Sequence, residues 1–169
     1  MAHEPLTSVA ALIAASREPN VKAMLDAIAA CEGTEGPNGY RMHFGKSLFD
    51  SFDGHPRKVI TATMKGQVLR SSAAGRYQIM QRTWDDLQQR WAFPDFSPQS
   101  QDAAAVALIL RRGALEAVRA GRVEEACNLL RKEWASLPGA GYGQPEKALS
   151  FVRAKFLLAG GSLAAPNAA

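Results

Sequence analysis

The strongest constraint in this sequence is a change of pattern that occurs twice along the chain. Residues 21–32 carry Val21, Met24, Leu25 and Ile28 at the i, i+3, i+4, i+7 spacing of one apolar helix face. Residues 33–74 lack this spacing and are rich in Gly, Pro, Asn, Ser and Thr, and helical spacing returns from Gly75 onward. The pattern predicts a helical body with one non-helical segment inserted into it.

The inserted segment predicts a small β lobe. Residues 58–61 and 67–69 are short stretches of β-forming residues that are typical of a hairpin or small sheet. The fold class is therefore α+β, mainly helical with one β lobe. A cleft between two such lobes is a natural place for a ligand.

The helix signals divide the rest of the chain. The helix over residues 21–32 is predicted to begin at a capping Asn20 and to end at Gly33. Ser97 and Pro98 predict the start of another helix that runs to about Arg112. Further helices are predicted over residues 76–91, 114–120, 123–136 and 145–159. We interpret residues 1–20 as a flexible N-terminal extension with room for a short helix, 21–162 as one folded domain, and 163–169 as a flexible tail.

Composition excludes several classes of protein. The formal charge of +4 arises from 20 basic and 16 acidic residues that are interspersed, so no basic arm for specific nucleic-acid binding is expected. Cys31 and Cys127 have no zinc-site spacing and are expected to stay reduced. We expect no metal and no cofactor. No apolar run is long enough to span a membrane, and residues 9–15 lack the basic flank of a signal peptide, so no export route is apparent.

Glu32 is the first candidate for chemistry. It closes an apolar helix, directly before the helix-ending Gly33, and continues the side of the helix that bears Val21, Leu25 and Ile28. An apolar setting raises the pKa of a carboxyl group, and a carboxyl that is protonated near neutral pH can serve as a general acid. Taken alone, however, a glutamate near a helix end is more often exposed and inert.

Two further segments carry polar groups suited to a sugar ligand. The first, residues 71–78, combines small residues with Ser72, Tyr77 and Gln78. Alone, this segment also fits an ordinary capped start of a helix. The second, residues 135–143, contains three glycines, a proline and Tyr142, an aromatic residue that is able to stack on a sugar or simply to pack inward.

Together these segments resemble the family of the phage lambda endolysin. The resemblance rests on Ala30-Cys31-Glu32-Gly33-Thr34, on Ser72-x-x-Gly75-Arg76-Tyr77-Gln78 and on residues 134–143 (WASLPGAGYG), and it extends over about residues 21–162. It implies a lysozyme-like fold in which residues 21–162 are the catalytic domain and Glu32 is the catalytic acid. It also implies that Ser72, Gln78 and Tyr142 contact glycan while Gly75, Arg76 and Tyr77 shape the wall of the cleft.

The chain departs from this family at two places. Residues 1–20 have no counterpart there. The Gly39-Tyr40 pair is followed by Arg41, where the family has an acid. A role for a second carboxylate at that position is therefore not supported.

The resemblance implies a lytic transglycosylase that acts on peptidoglycan. Glu32 would cleave the bond between N-acetylmuramic acid and N-acetylglucosamine and leave a 1,6-anhydro sugar. One alternative is a hydrolysing muramidase that uses Glu35, Asp50 or Asp53 as a second carboxylate, and another is a peptidoglycan-binding module without activity. We expect a monomer that is made in the host cytoplasm, reaches the periplasm through a holin-like membrane protein, and lyses the host.

Overall fold

The computed structural model describes residues 6–64, 66–141 and 146–165, and within them a helical body carries one small antiparallel sheet. The α-helices of these ranges are α1 (Val9–Ser16), α2 (Pro19–Glu32), α3 (Gln81–Trp91), α4 (Pro98–Arg111), α5 (Leu115–Arg119), α6 (Val123–Leu130) and α7 (Leu149–Leu158). Helices α2 and α4 are the centre of the core, because most of their side chains are buried. None of the described helices has both the length and the apolar character needed to cross a membrane.

The β lobe is a single hairpin. Strand β1 (Ile60–Met64) pairs antiparallel with β2 (Gln67–Ser71), and the register runs from Ile60 opposite Ser71 to Met64 opposite Gln67. Residues 33–59 lead from α2 to the hairpin and include two short 3₁₀ turns, Gly39–Arg41 and Phe44–Lys46. An isolated bridge pairs His43 with Ala74. The predicted α+β class is confirmed.

Helix α2 is formed and ended by local signals. Pro19 opens the helix, where its missing N–H removes no hydrogen bond. Gly33 closes it with a φ of 70°, a left-handed conformation that glycine adopts without strain. The predicted cap at Asn20 is wrong, because Asn20 lies inside the helix and its side-chain amide donates to the carbonyl groups of Arg119 and Ser162.

Residues 6–20 differ from the flexible extension that we expected. Helix α1 packs against α4, and Leu12 and Ala15 on it are buried. Ser8 caps the helix by accepting from the N–H of Ala11 at 3.1 Å. Because Leu12 is buried, α1 is part of the core. Removal of the Leu12 side chain would leave a cavity beside α4.

Three helices are shorter than predicted. The helix expected over 76–91 begins only at Gln81, because Gly75 and Gln78 have positive φ values of 78° and 46° that no helix accommodates. The helix expected over 123–136 ends at Leu130, and the one expected over 145–159 begins at Leu149. The predicted start of α4 is confirmed, since Ser97 accepts from the N–H of Ser100 and Pro98 is the first helical residue.

The segment after α7 is held to the body up to residue 164. Ser162 donates its N–H to Asn20 at 2.8 Å, and Ala164 donates its N–H to the carbonyl of Gly121 at 3.1 Å. The tail predicted over 163–169 is therefore bonded at its first residues, and 166–169 lie outside the described residues.

Both cysteines are free and buried. Burial raises the pKa of the Cys31 thiol to about 12 and that of Cys127 to about 11. The prediction that they form no disulfide agrees with this arrangement.

Candidate active site

Glu32 is the last residue of α2 and is half-buried. The hydroxyl of Ser136 donates to its Oε1 at 2.6 Å, across 104 positions of sequence. Burial raises the pKa of Glu32 to about 7, and the hydrogen bond from Ser136 opposes this rise because it favours the charged form. Glu32 is thus divided between its protonated and ionised forms near neutral pH.

Three hydrogen bonds bring the three sequence segments together around Glu32. The hydroxyl of Thr34 lies 2.5 Å from the carbonyl oxygen of Arg76. The indole N–H of Trp134 donates to the carbonyl of Tyr77 at 3.0 Å, and Ser136 completes the set through Glu32. Each segment is therefore bonded to the other two.

The loop over residues 75–78 depends on glycine at position 75. A Cβ atom there would lie 2.3 Å from Oε1 of Gln101 and 3.1 Å from the ring of Phe96. Gln101 is fully buried and uses that oxygen to accept the N–H of Arg76 at 2.9 Å. Gly75 therefore permits the close approach that fixes this wall.

The other predicted positions of this wall have different surroundings. Tyr77 is buried, and its hydroxyl donates to Asp102 at 2.6 Å. Its side chain therefore packs in the core behind the 75–78 loop. Gln78 donates its amide to the carbonyl of Gly75 at 2.9 Å. Ser72 accepts the N–H of Gln81 at 3.2 Å, at the start of α3. Ser72 and Gln78 are both half-buried, and Tyr142 lies outside the described residues.

The glycine loop after Ser136 is held by a carboxylate. Glu146 accepts the N–H groups of Gly139 at 2.9 Å and of Gly141 at 2.6 Å. Both glycines have a φ of 74°, which turns their N–H groups toward that side chain. This loop follows the residue that bonds Glu32, so Glu146 fixes the chain on that side of the site.

Sequence reasoning did not single out Thr34, Trp134 and Ser136. All three stand inside the segments that were recognised, and each carries a donor group on its side chain. Their roles depend on which distant acceptor the fold places opposite them, and no local spacing carries that information. The one signal that could have found Ser136 is its hydroxyl beside the glycine loop.

The three carboxylates considered as partners of Glu32 are all exposed. Glu35 is exposed and pairs with the ammonium of Lys155 at 2.8 Å. Asp50 is fully exposed and pairs with Arg41 at 3.3 Å, and Asp53 is exposed on a bend. Within 6–64, 66–141 and 146–165, no cluster of three or more side chains is suited to hold a metal ion.

Comparisons with known proteins identify the family of this chain. The family model described as Endolysin matches residues 22–163, so helix α1 precedes the matched range. The endolysin of Escherichia phage lambda is 43% identical over 148 residues, which cover 84% of this chain and 92% of that protein. The endolysin of Escherichia phage P2 is 40% identical over 156 residues, with coverage of 84% and 93%.

The solved structures show the same fold. Bacteriophage lambda lysozyme complexed with a chitohexasaccharide has a TM-score of 0.80 and 42% identity, and the match covers 86% of this chain and 96% of that one. A second structure of lysozyme from bacteriophage lambda has a TM-score of 0.76 and 41% identity over the same shares of the two chains. The lysozyme-like fold that the sequence implied is confirmed.

Proposed function

The chain belongs to the endolysin family of peptidoglycan-cleaving phage enzymes, and from this premise we propose that it acts by lytic transglycosylation with Glu32 as its only catalytic carboxyl group. The observation that carries the proposal is the position of Glu32. It is a half-buried carboxyl with a pKa of about 7, at the meeting point of three bonded segments. The lambda lysozyme structure with a chitohexasaccharide supports a glycan ligand for this site.

In the first step Glu32 is the acid. Because Oε1 accepts the hydrogen of Ser136, the transferable proton resides on Oε2. This proton passes to the oxygen between N-acetylmuramic acid and N-acetylglucosamine, the bond from that oxygen to the muramic C1 breaks, and positive charge develops at C1. A positioned acid of this kind contributes about 10²–10⁴ in rate.

In the second step Glu32 is the base. The ionised carboxylate removes the proton of the hydroxyl at C6 of the same muramic acid, and that oxygen forms a bond to C1. The product is a 1,6-anhydro sugar, and no water is consumed. The attacking group belongs to the same ring, so the reaction gains from a high effective concentration. The bond from Ser136 stabilises the charged form that this step requires.

A single carboxyl group suffices for this sequence of steps, whereas hydrolysis generally employs a second one. The rise in the pKa of Glu32 has burial as its cause, with no contribution from a neighbouring negative charge. The candidate partners Glu35 and Asp50 are exposed and paired with cations. These surroundings favour transglycosylation over the muramidase alternative.

The route to the substrate is part of the proposal. We propose that the enzyme is made in the host cytoplasm as a monomer, passes the inner membrane through the opening of a holin-like protein, and acts in the periplasm. Fractionation of cells that make the protein with and without a holin would test it.

The mechanism is tested by the mass of the products. Purified peptidoglycan is digested with the wild type and with Glu32→Gln, and the released sugars are weighed by mass spectrometry. We expect products that are one water lighter than hydrolysis products, and none with the variant. Asp50→Asn and Asp53→Asn are matched controls that remove an exposed carboxyl from the β-lobe side, and both should retain activity.

Products with an ordinary reducing end would refute the transglycosylase proposal. Loss of activity in Asp50→Asn or Asp53→Asn would then identify the second carboxylate of a hydrolase. Cleavage at the wild-type rate by Glu32→Gln would remove Glu32 from the mechanism altogether.

A further inference from the structure

Two lysines and one phenylalanine form a row that the proposed chemistry does not use. Phe151 is half-buried on α7, and the ammonium groups of Lys147 and Lys155 lie 5.1 Å and 5.6 Å from the centre of its ring. The face of an aromatic ring attracts cations, so Phe151 holds both lysine side chains against itself. We call these three residues the lysine row.

Both lysines of the row are hydrogen-bonded to residues near Glu32 in the structure or in the sequence. Lys147 donates its backbone N–H to the carbonyl of Ser136 at 2.8 Å, and the hydroxyl of Ser136 bonds Glu32. Lys155 donates its ammonium to Glu35, three positions after Glu32, at 2.8 Å and 3.1 Å. The lysine row is therefore linked to Ser136, which bonds Glu32, and to Glu35, which lies just beyond the end of α2.

The charges of the lysine row are only partly balanced. Lys155 has Glu35 as its partner, whereas Lys147 is exposed and has no carboxylate partner in the part of the chain that the structure describes. The adjacent Glu146 directs its carboxylate at the N–H groups of Gly139 and Gly141. The ammonium group of Lys147 is thus available to a negatively charged ligand, and that of Lys155 lies against the same ring.

We propose that the lysine row binds carboxylates of the peptide stem of peptidoglycan. The inference rests on the proposed function and names a second part of its substrate. The stem is attached to N-acetylmuramic acid, the sugar whose C1 reacts at Glu32 in the proposed mechanism, so its first residues are close to the reacting centre. Its free carboxylates match the ammonium groups in charge, whereas a neutral chain of N-acetylglucosamine offers them no partner.

The test compares one glycan strand in two chemical forms. Stem-bearing strands are used as isolated, and a second portion has its carboxylates converted to methylamides by carbodiimide coupling. The variants are Lys147→Gln, Lys155→Gln and the double variant. The matched control is Arg153→Gln, which removes a cation from the same helix, where Arg153 pairs with Glu124 on α6 at 3.2 Å.

We expect the substitutions to act through binding and only on the charged strands. For an exposed ion pair, each single variant should raise KM about two- to fivefold and the double variant roughly tenfold, with kcat unchanged. On the methylamide strands the variants and the wild type should have the same KM. Arg153→Gln should leave KM unchanged on both.

Two results would overturn the inference: an equal KM in all variants on the charged strands, or an equal rise in KM on both kinds of strand. If the proposed function itself were wrong, the result would differ from both of these, because the wild type would release no 1,6-anhydro products. Calorimetric binding of the two strand forms to Glu32→Gln, with and without Lys147→Gln, gives the same comparison without cleavage. The predicted result there is weaker binding of the charged form alone.

Discussion

Replacement of Glu32 by glutamine should remove activity and at the same time stabilise the folded protein above neutral pH. Burial raises the pKa of this carboxyl from 4.5 to about 7. The folded state therefore holds the proton more tightly than the unfolded state. The stability that this preference contributes is fully present below pH 4.5 and is lost as pH rises through about 7.

The size of the effect follows from the same values. A tenfold change in proton affinity corresponds to about 1.4 kcal/mol, so a rise from 4.5 to about 7 sets an upper bound of about 3 kcal/mol. Glu32 is half-buried, and contact with water reduces this bound, so we expect a gain of about 1–2 kcal/mol for Glu32→Gln. The glutamine retains a carbonyl oxygen that can accept the hydrogen of Ser136.

The assay is urea unfolding of the wild type and Glu32→Gln at about pH 4 and about pH 8, monitored by far-UV circular dichroism. At each pH the free energy of unfolding of the wild type is subtracted from that of Glu32→Gln. The informative quantity is this difference at pH 8 minus the same difference at pH 4, because the contributions of the other carboxyl groups are the same in both proteins and cancel. Asp86→Asn, an exposed position on α3, is the matched control and should show no such gain. If Glu32→Gln changed the free energy of unfolding by the same amount at both pH values, the link between burial and proton affinity would be refuted.

Three other substitutions test the candidate site and the core. Ser136→Ala removes the bond that favours the charged carboxylate, so the fall in activity at alkaline pH should move to higher pH in a pH–rate profile. Gly75→Ala should cost about 2–4 kcal/mol in chemical denaturation, because its Cβ would meet buried Gln101 and the backbone has a φ of 78°. Leu12→Ala should cost about 2–4 kcal/mol in the same assay and confirm that α1 belongs to the core, whereas a change below about 0.5 kcal/mol would mean that it does not.

The apolar periodicity predicted which segments form helices. It predicted helices that are too long where a tight loop replaces part of the segment. Ser97 and Pro98 fixed the start of α4 because capping is a local interaction. The stretch from Arg76 to Met80 has helix-forming residues, but Ala74 pairs with Ile79 instead, and that pairing depends on contacts with residues far away in sequence. The packing of α1 on α4 was missed for the same reason.

The acid of the candidate site could be named from sequence, whereas the groups around it could not. Glu32 was named as the acid because its motif, together with two distant ones, resembles the endolysin family, whereas its place at the end of an apolar helix was not sufficient by itself. The hydroxyl of Ser136 reaches it across 104 positions, and Trp134 reaches Tyr77 across 57. Such partners are set by the course of the chain in space, to which a single sequence gives no access.

The two buried cysteines make the natural protein a suitable background for site-specific labels. Burial raises the pKa of Cys31 to about 12 and that of Cys127 to about 11, so both thiols are protonated at neutral pH. A maleimide reacts with thiolate, so a cysteine introduced on the exposed face of the hairpin would be modified far faster than either native thiol. Pairs of dyes or spin labels on the β lobe and the helical body could then report the width of the cleft, with both native cysteines left in place.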